Sequence, residues 1–407
     1  MPRIKWTAEV GSLQWRNNLV LKDGHLIGST SGSAWNRGDD ADGVFSIDAA
    51  TGRTRWFCRT GSDANELNVF GNTVVCGTDG GGLYAISADV GDVLAKVDLS
   101  EPIFARPIEF EPLGMKRYIV AVSSTGRIFG YDEEEKEFVE LGKIDAKVRA
   151  NPLSTKYTER NNYFVVCTEG GDIMSVTLTS NGAKCDLIHS VNYLTPFSRT
   201  GFKEAGIFAN AAVNENNDLF VGFVRETYFP EPPLICVSID KNSYAALKWR
   251  GQTVDLDDGF GNVRAAPLLA KDEVILAPAY SDSVYAFSAE TGRLRWTVRV
   301  GPSYFQQWSS PVLGSDGSVY LGRADGILVK INRQRQKVEW TLSASFGVQR
   351  EVGGLLAKTK SLFEITPPRA LDPGEIIEGG ICATPLVHNG CIYVGTTSGT
   401  LMCVSED

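Results

Sequence analysis

The chain is poor in the groups from which most active sites are built. Among 407 residues it has three histidines, His25, His189 and His388, and none stands in an HExxH or similar ligand spacing. His25 and His388 flank Gly or Asn turns and read as solvated turn residues. No two of the eight cysteines are adjacent or form a CxxC pair, and most lie inside apolar runs such as Val74-Val75-Cys76 and Val165-Val166-Cys167. They read as small buried hydrophobes in a reducing compartment, not as metal ligands or a disulfide framework. There is no P-loop and no GxGxxG after a strand. Gly28-Ser29-Thr30-Ser31-Gly32 carries Thr where a nucleophile elbow needs Ser. No excess of basic charge exists either: the net charge of −9 gives no counterion release to drive nucleic-acid binding. The longest apolar runs, such as Tyr118–Val122, fall far short of the roughly 18–20 residues of a membrane helix, so no membrane insertion is expected. Met1-Pro2-Arg3-Ile4-Lys5-Trp6 has no apolar core of a secretion signal. The expected location is the cytoplasm, although a chain trimmed of an export signal would read the same.

What the sequence does have is internal repetition, which decides the fold before any local signal. Val44-Phe45-Ser46-Ile47-Asp48-Ala49-Ala50-Thr51-Gly52-Arg53-Thr54-Arg55-Trp56 recurs as Val284-Tyr285-Ala286-Phe287-Ser288-Ala289-Glu290-Thr291-Gly292-Arg293-Leu294-Arg295-Trp296. Each copy is a strand, a Thr-Gly turn and a second strand with Trp four residues after the Gly. Weaker copies start at Leu83, Leu234 and Leu328. Upstream lies a recurring hairpin, Asp23-Gly24-His25-Leu26-Ile27-Gly28, matched at Gly71, Asp316 and His388. A further strand, marked by Pro107, Pro152, Pro267, Pro311 or Pro385, precedes the hairpin.

Each unit therefore has four strands, A to D, at the spacing of propeller blades. C strands are expected near 44, 83, 128, 173, 234, 284, 327 and 401, which makes eight blades. The last C strand ends at the chain terminus, so blade eight lacks a D strand of its own. Ile4-Lys5-Trp6-Thr7-Ala8-Glu9-Val10-Gly11 matches the blade-six D strand Leu294-Arg295-Trp296-Thr297-Val298-Arg299-Val300-Gly301 in register. The prediction is an all-β, eight-bladed β-propeller of four-stranded antiparallel blades, closed by the N-terminal strand, with residues 1–407 as one domain. Closure removes two open sheet edges.

The Ala/Ser-x-Asp/Ser-x-x-Thr-Gly-x-x-x-Trp pattern resembles the tryptophan-docking repeat of the PQQ-like propellers, the quinoprotein and BamB-type family. The resemblance covers nearly the whole chain. It is specific in blades one, six and seven and degenerate in three and four. It implies that Trp6, Trp56, Trp249, Trp296 and Trp340 pack against a neighbouring blade. It implies no particular activity. Quinoprotein dehydrogenases carry adjacent cysteines beside their cofactor, and BamB-type lipoproteins carry a lipid-bearing Cys near the start. Neither feature stands here, where the first Cys is Cys58. No cofactor is expected.

Function should therefore sit on the loops. Five long connections, Ser31–Gly43, Val191–Gly206, Arg225–Pro233, Thr253–Asn262 and Phe346–Gly379, are all D–A or B–C segments and emerge on one face. Long loops on a rigid scaffold concentrate function. Their aromatics, Trp35, Tyr193, Phe197, Tyr228, Phe229 and Phe260, suit recognition of a protein partner. Acidic loops at 36–43 and 255–259 read as Asp/Gly turn chemistry, with a bound cation as the alternative. Around the axis, Phe104-Ala105-Arg106-Pro107, Arg149-Ala150-Asn151-Pro152, Arg264-Ala265-Ala266-Pro267 and Trp308-Ser309-Ser310-Pro311 align. Arg106, Arg149, Arg264 and Trp308 are the candidate contacts for an anionic small ligand in the axial funnel. The alternative for the arginines is pairing with channel carboxylates. The overall expectation is a non-catalytic scaffold that binds a protein partner or an extended ligand through its D–A/B–C face. The alternative is an enzyme with its site in the funnel of that face, a quinoprotein-like oxidoreductase or other chemistry.

Overall fold

The computed structural model of the protein describes residues 2–33, 37–112, 114–155, 158, 160, 162–194, 205–225, 232–239, 245–252, 262–279, 281–301, 309–344 and 379–406. Its strands form eight antiparallel sheets arranged as a propeller. The eight C strands are Asp42–Asp48, Gly82–Ser87, Arg127–Asp132, Asp172–Thr179, Leu234–Ile239, Ser283–Ser288, Ile327–Asn332 and Thr400–Ser405. Every one lies where the repeat placed it. Seven sheets have four strands, in sequence-adjacent order in six of them; in blade eight the first strand of the chain lies beside the last. Blade four has three, and its A segment is reduced to isolated bridges such as Leu153 to Val165.

The turn chemistry explains the hairpins. Asp23 and Gly24 both have positive φ, 47° and 78°, and so do Asn389 and Gly390, 46° and 71°. Two consecutive left-handed residues twist a two-residue loop in the same sense as its flanking strands. B and C strands such as Thr73–Thr78 and Gly82–Ser87 are buried along their whole length. Outer strands such as Thr54–Arg59 alternate between exposed and buried. Inner strands are thus covered on both faces by neighbouring blades, and the outer strand meets water.

The apolar core is correspondingly divided into eight clusters, each between two adjacent blades. Ile27, Val44 and Trp56 of blade one pack on Val74, Cys76, Tyr84 and Ile86 of blade two. Leu26, Phe45 and Ile47 pack on Tyr393, Leu401 and Cys403 of blade eight. All eight cysteines are free thiols, six of them buried. Burial pushes the Cys167 thiol up to about 12, which leaves it protonated and inert.

Arg3–Glu9 pairs antiparallel with Thr400–Ser405 and supplies the outer strand of blade eight. Both chain ends therefore meet in one sheet, as the repeat register required.

The tryptophans show what the repeat is for. Trp6 of blade eight lies against Gly52 of blade one, where a Cβ would come within 2.6 Å of the indole, and its Nε1 donates to the Ala49 carbonyl at 3.1 Å. Trp56 meets Gly91 and Ala88 of blade two in the same way, at 3.0 Å. Trp249 meets Gly292 and Ala289 of blade six, at 2.9 Å. The Ala-x-x-Gly turn of one blade is the seat for the Trp of the blade before it.

Candidate functional site: the axial cavity and the loop-rich face

The A strands converge on a cavity of about 410 Å³ around the propeller axis. Its upper wall is held by side chains that step from blade to blade. Arg106 N donates to Asn151 Oδ1 at 2.7 Å, and Asn151 N donates to Asn210 Oδ1 at 2.8 Å. Farther round, Ala266 N donates to Ser310 Oγ at 2.8 Å and Ser310 N to Thr384 Oγ1 at 3.1 Å. These residues occupy one position per blade, mostly just before the A-strand Pro. Each short polar side chain caps the backbone of its neighbour, satisfying donors that no inner strand can pair. Ala266 offers no acceptor, so no such step leads into it from blade five.

Arg106, Arg149 and Arg264 all line this cavity, together with Arg16, which sequence reasoning missed. Among the described lining residues one carboxylate, Glu66, stands against these four guanidinium groups. It accepts from Arg106 Nε at 3.0 Å, from Asn151 Nδ2 at 2.8 Å and from Asn210 Nδ2 at 3.3 Å. Arg149 Nε donates to Glu169 Oε1 at 2.7 Å, behind the wall, and Arg16 pairs with Asp79 at 2.5 Å. The alternative of pairing with carboxylates therefore holds for Arg106 and Arg149, yet both still face the cavity. Burial pulls the Arg16 guanidinium below its usual range. Asp79 opposes that shift, and the like charge of Arg149 adds to it.

Aromatic rings separate the cations. The Arg149 guanidinium lies 4.9 Å from the centre of the Phe104 ring and 5.7 Å from that of Phe208. Arg264 lies 5.7 Å from the other side of the series, on Phe208, and Arg16 lies 4.7 Å from both Phe104 and Trp15. Phe104 thus lies between Arg16 and Arg149, and Phe208 between Arg149 and Arg264, so the negative faces of two rings stand between three of the four like charges. The signal for this ladder is in the sequence. Three residues before the A-strand Pro, or its blade-five counterpart Ala211, blades three to seven read Phe104, Arg149, Phe208, Arg264 and Trp308. Blade five has no Pro at that place, so alignment on Pro leaves out Phe208 and hides the alternation.

Trp308 itself lies outside the described residues, as do Trp35, Phe197, Tyr228, Phe229 and Phe260. Tyr193 falls in a short 3₁₀ turn, Val191–Leu194, and its side chain lies outside them too. The chain order of the strands does place the five long connections at D–A and B–C positions. On the opposite face the longest connection is the A–B segment of blade four, before Phe164–Cys167.

Of the two acidic loops, 255–259 lies outside the described residues. In the other, Asp39 accepts from Ser33 N and Ala41 N at 2.9 and 2.7 Å, and Asp42 Oδ2 accepts from Asp39 N at 2.6 Å. This is carboxylate-capped turn geometry. Burial, with Asp63 and Asp39 close by, pushes the Asp42 carboxyl up to about 7.

No histidine or cysteine is among the described lining residues of the cavity. A metal ion does not fit the described lining: its one carboxylate is already held by Arg106, Asn151 and Asn210, and no cluster of three His, Cys, Asp or Glu among the described residues could hold a metal ion. No helix of the described residues is long and apolar enough to cross a membrane.

The architecture is that of an eight-bladed propeller with tryptophan-docked blades, and comparison narrows the class. Over residues 4–132, 44–180 and 237–362 the chain matches the family described as outer membrane protein assembly factor BamB, and it belongs to that family. Among solved structures, BamB from Moraxella catarrhalis is similar over 100% of both chains, with a TM-score of 0.67 and 13% identity. The computationally designed Ika8 protein is similar over 98% of this chain and 99% of its own, with a TM-score of 0.62 and 13% identity. A europium-containing methanol dehydrogenase is similar over 99% of this chain and 93% of its own, with a TM-score of 0.59 and 10% identity. At such identities these likenesses concern the fold alone. No curated protein matches the sequence significantly.

Proposed function

We propose that the chain is a non-catalytic interaction scaffold that presents its D–A/B–C face to a protein partner. The observation that carries this reading is the one-sided placement of the long connections on a ring whose own strands are fully occupied in packing. Membership in a family described as an assembly factor supports it. So does a described cavity lining with no histidine or cysteine and, among the described residues, no cluster that could hold a metal ion. Trp35, Tyr193, Phe197, Tyr228, Phe229 and Phe260 supply the aromatic anchors that interfaces favour.

The test is partner binding by purified variants. Trp35→Ala, Tyr228→Ala or Phe229→Ala should each weaken capture of the native partner by about 2 kcal/mol or more while the melting temperature stays put. His25→Ala, on the opposite face, should bind normally. Early melting with retained binding would make these aromatics structural padding, and loss of binding in His25→Ala would point to the other face.

The second reading is an enzyme with its site in the axial funnel. The cavity itself and the fold likeness to a methanol dehydrogenase favour it. Turnover of any substrate that is lost on blocking the cavity, and not on changing the loops, would select it.

A further inference from the structure

We infer that the outer edge of blade one takes up an extended segment of a partner protein as a fifth strand, with an acid, an apolar residue and an acid at alternate positions. The surface is the strand Thr54–Arg59, on the rim of the ring. Its ladder decides which groups are free. Thr60 N donates to the Asp42 carbonyl at 3.0 Å, and along the same register Val44 stands opposite Cys58, Phe45 opposite Phe57 and Ser46 opposite Trp56. Hydrogen-bonded pairs alternate along an antiparallel ladder, so Trp56, Cys58 and Thr60 turn their backbone groups inward. Those of Arg55, Phe57 and Arg59 turn outward, where the sheet has no further strand. The same three residues share one face of the strand. Trp56 and Cys58 are buried against blade two, whereas Arg55, Phe57 and Arg59 are exposed.

Blade six carries arginines at the same two places and neutralises them within the blade. Arg295 Nη1 meets Asp272 at 2.5 Å and Glu273 at 3.8 Å, and Arg299 Nε meets Asp282 at 2.7 Å. The bond from Ala289 N to the Asp272 carbonyl corresponds to that from Ala49 N to the Gly24 carbonyl, so blade one has Gly24 and His25 where blade six has two acids. The bond from Val300 N to the Asp282 carbonyl corresponds to that from Thr60 N to Asp42. Asp42, however, is buried and accepts from Asp39 N. Among the described residues Arg55 has no ion-pair partner, and Arg59 lies 3.7 Å from Asp40 with side chains 68% and 92% exposed, a pair of little worth in water.

Charge by itself can serve to blunt a sheet edge. It does not account for Phe57, which is 39% exposed between the two arginines where blade six has Thr297. The Phe57 ring lies over Gly43, where a Cβ would come within 2.8 Å of it. A free backbone edge flanked by two unneutralised arginines, in a chain of net charge −9, is complementary to an acidic strand. A segment paired there puts its acids opposite Arg55 and Arg59, in charge-assisted bonds, and its apolar residue opposite Phe57.

Fluorescence anisotropy on the full chain at low salt tests this with the labelled peptide Thr-Glu-Thr-Phe-Thr-Glu-Thr. Two relatives accompany it, one with Gln for both Glu and one N-methylated at the Glu and Phe amides, which face the edge in this pairing. The expected result is one peptide per chain, with each relative bound about tenfold or more weaker. Equal binding of the Gln peptide would remove the role of the arginines, and equal binding of the N-methylated one would remove strand pairing; either overturns the proposal. Arg55→Glu combined with Arg59→Glu should abolish binding at an unchanged melting temperature. The same double variant should bind the peptide with Lys for both Glu, a reversal that a structural defect would not produce, and failure of that reversal counts against the site. Arg299→Gln on blade six should stay within about twofold. Equal losses on blades one and six would mean unspecific attraction to arginine. A dimer in sedimentation that the double variant loses would make a second copy of the chain the occupant, and would overturn the assignment to a partner protein.

Discussion

Two interfaces of the ring carry equivalent tryptophans and treat them differently. Between blades eight and one, Trp6 docks on Gly52 and donates to Ala49. Between blades six and seven, Trp296 stands at the equivalent place, but blade seven carries Gln336 where blade one carries Gly52. Both turn residues have left-handed φ, 72° for Gly52 and 51° for Gln336. Only the glycine leaves room for an indole. Trp296 turns its Nε1 instead to Glu273 Oε1 of its own blade, at 3.0 Å. It still packs in the cluster it shares with Val319, Leu321 and Val329 of blade seven. The motif is therefore a contact split across two blades: a Trp in one and a Gly in the next. Blades two and three agree, since Ala95 replaces the Trp of blade two and Lys136, at φ 55°, replaces the Gly of blade three.

The largest effect should come from removing the eight–one contact altogether. Deletion of residues 1–11 takes away Trp6 and exposes both the Thr400–Ser405 edge and its apolar face. The loss should reach at least about 3–5 kcal/mol, the cost of emptying one large aromatic site, with aggregation through the open edge. An unchanged melting temperature in a monomeric variant would break the comparison at its root.

A pH dependence on the blade-one side comes next. The Asp42 carboxyl, raised to about 7 by burial beside Asp63 and Asp39, binds its proton more tightly when folded than when unfolded. Its contribution to stability is fully present below about pH 4 and is lost as pH rises through about 7. Asp42→Asn should raise stability at pH 8 by a few kcal/mol at most and flatten that part of the pH profile. Denaturant titrations at pH 5 and 8 that show the same difference between wild type and variant would refute it.

Gly52→Ala sharpens the comparison directly, because the new methyl meets Trp6 in a left-handed turn. A loss of about 2 kcal/mol is expected. Gln336→Gly, where no indole is seated, should instead be neutral or gain up to about 1 kcal/mol by relieving the left-handed backbone. Equal and opposite behaviour in urea melts would mean that turn strain, and not the Trp seat, governs both sites.

The smallest effect concerns a third solution to the same problem. Trp340 of blade seven faces blade eight, whose C–D turn is interrupted by the chain ends. Its Nε1 donates to Glu406 Oε1 at 2.9 Å, and Lys330 Nζ holds Glu406 Oε2 at 2.7 Å. Glu406→Gln should cost about 1–2 kcal/mol and leave the eight–one interface untouched, so its effect should add to that of Gly52→Ala. Strong non-additivity would show that the two interfaces on either side of blade eight are coupled.

The degree to which each feature was readable follows from how local its cause is. C strands and hairpin turns depend on alternation and on Asp-Gly or Asn-Gly pairs, so their positions were read to within a few residues. Closure by Arg3–Glu9 was readable because the missing strand left a hole in a counted repeat. Blade four, although Pro152 marks its A segment, kept only bridges there. In the cavity, Arg106, Arg149 and Arg264 were found through their Pro alignment. Phe208, whose blade lacks that Pro, was not. Nor were Arg16, which lies just ahead of the Leu19–Lys22 strand, and Glu66, which stands in the blade-two A strand, Ala64–Phe70, where no Pro marks the alignment.

By itself the sequence determined the blade count, the strand order, the closing strand and the seats of the docked tryptophans, because each is a matter of spacing along the chain. Only the tertiary structure decided which charges meet. Glu66 joins Arg106, Asn151 and Asn210 across blades two to five, 40, 85 and 144 residues apart in the chain. Ring closure brings such residues onto one axis. Their mutual distances depend on blade rotation, a geometric sum over the whole ring that no local pattern records.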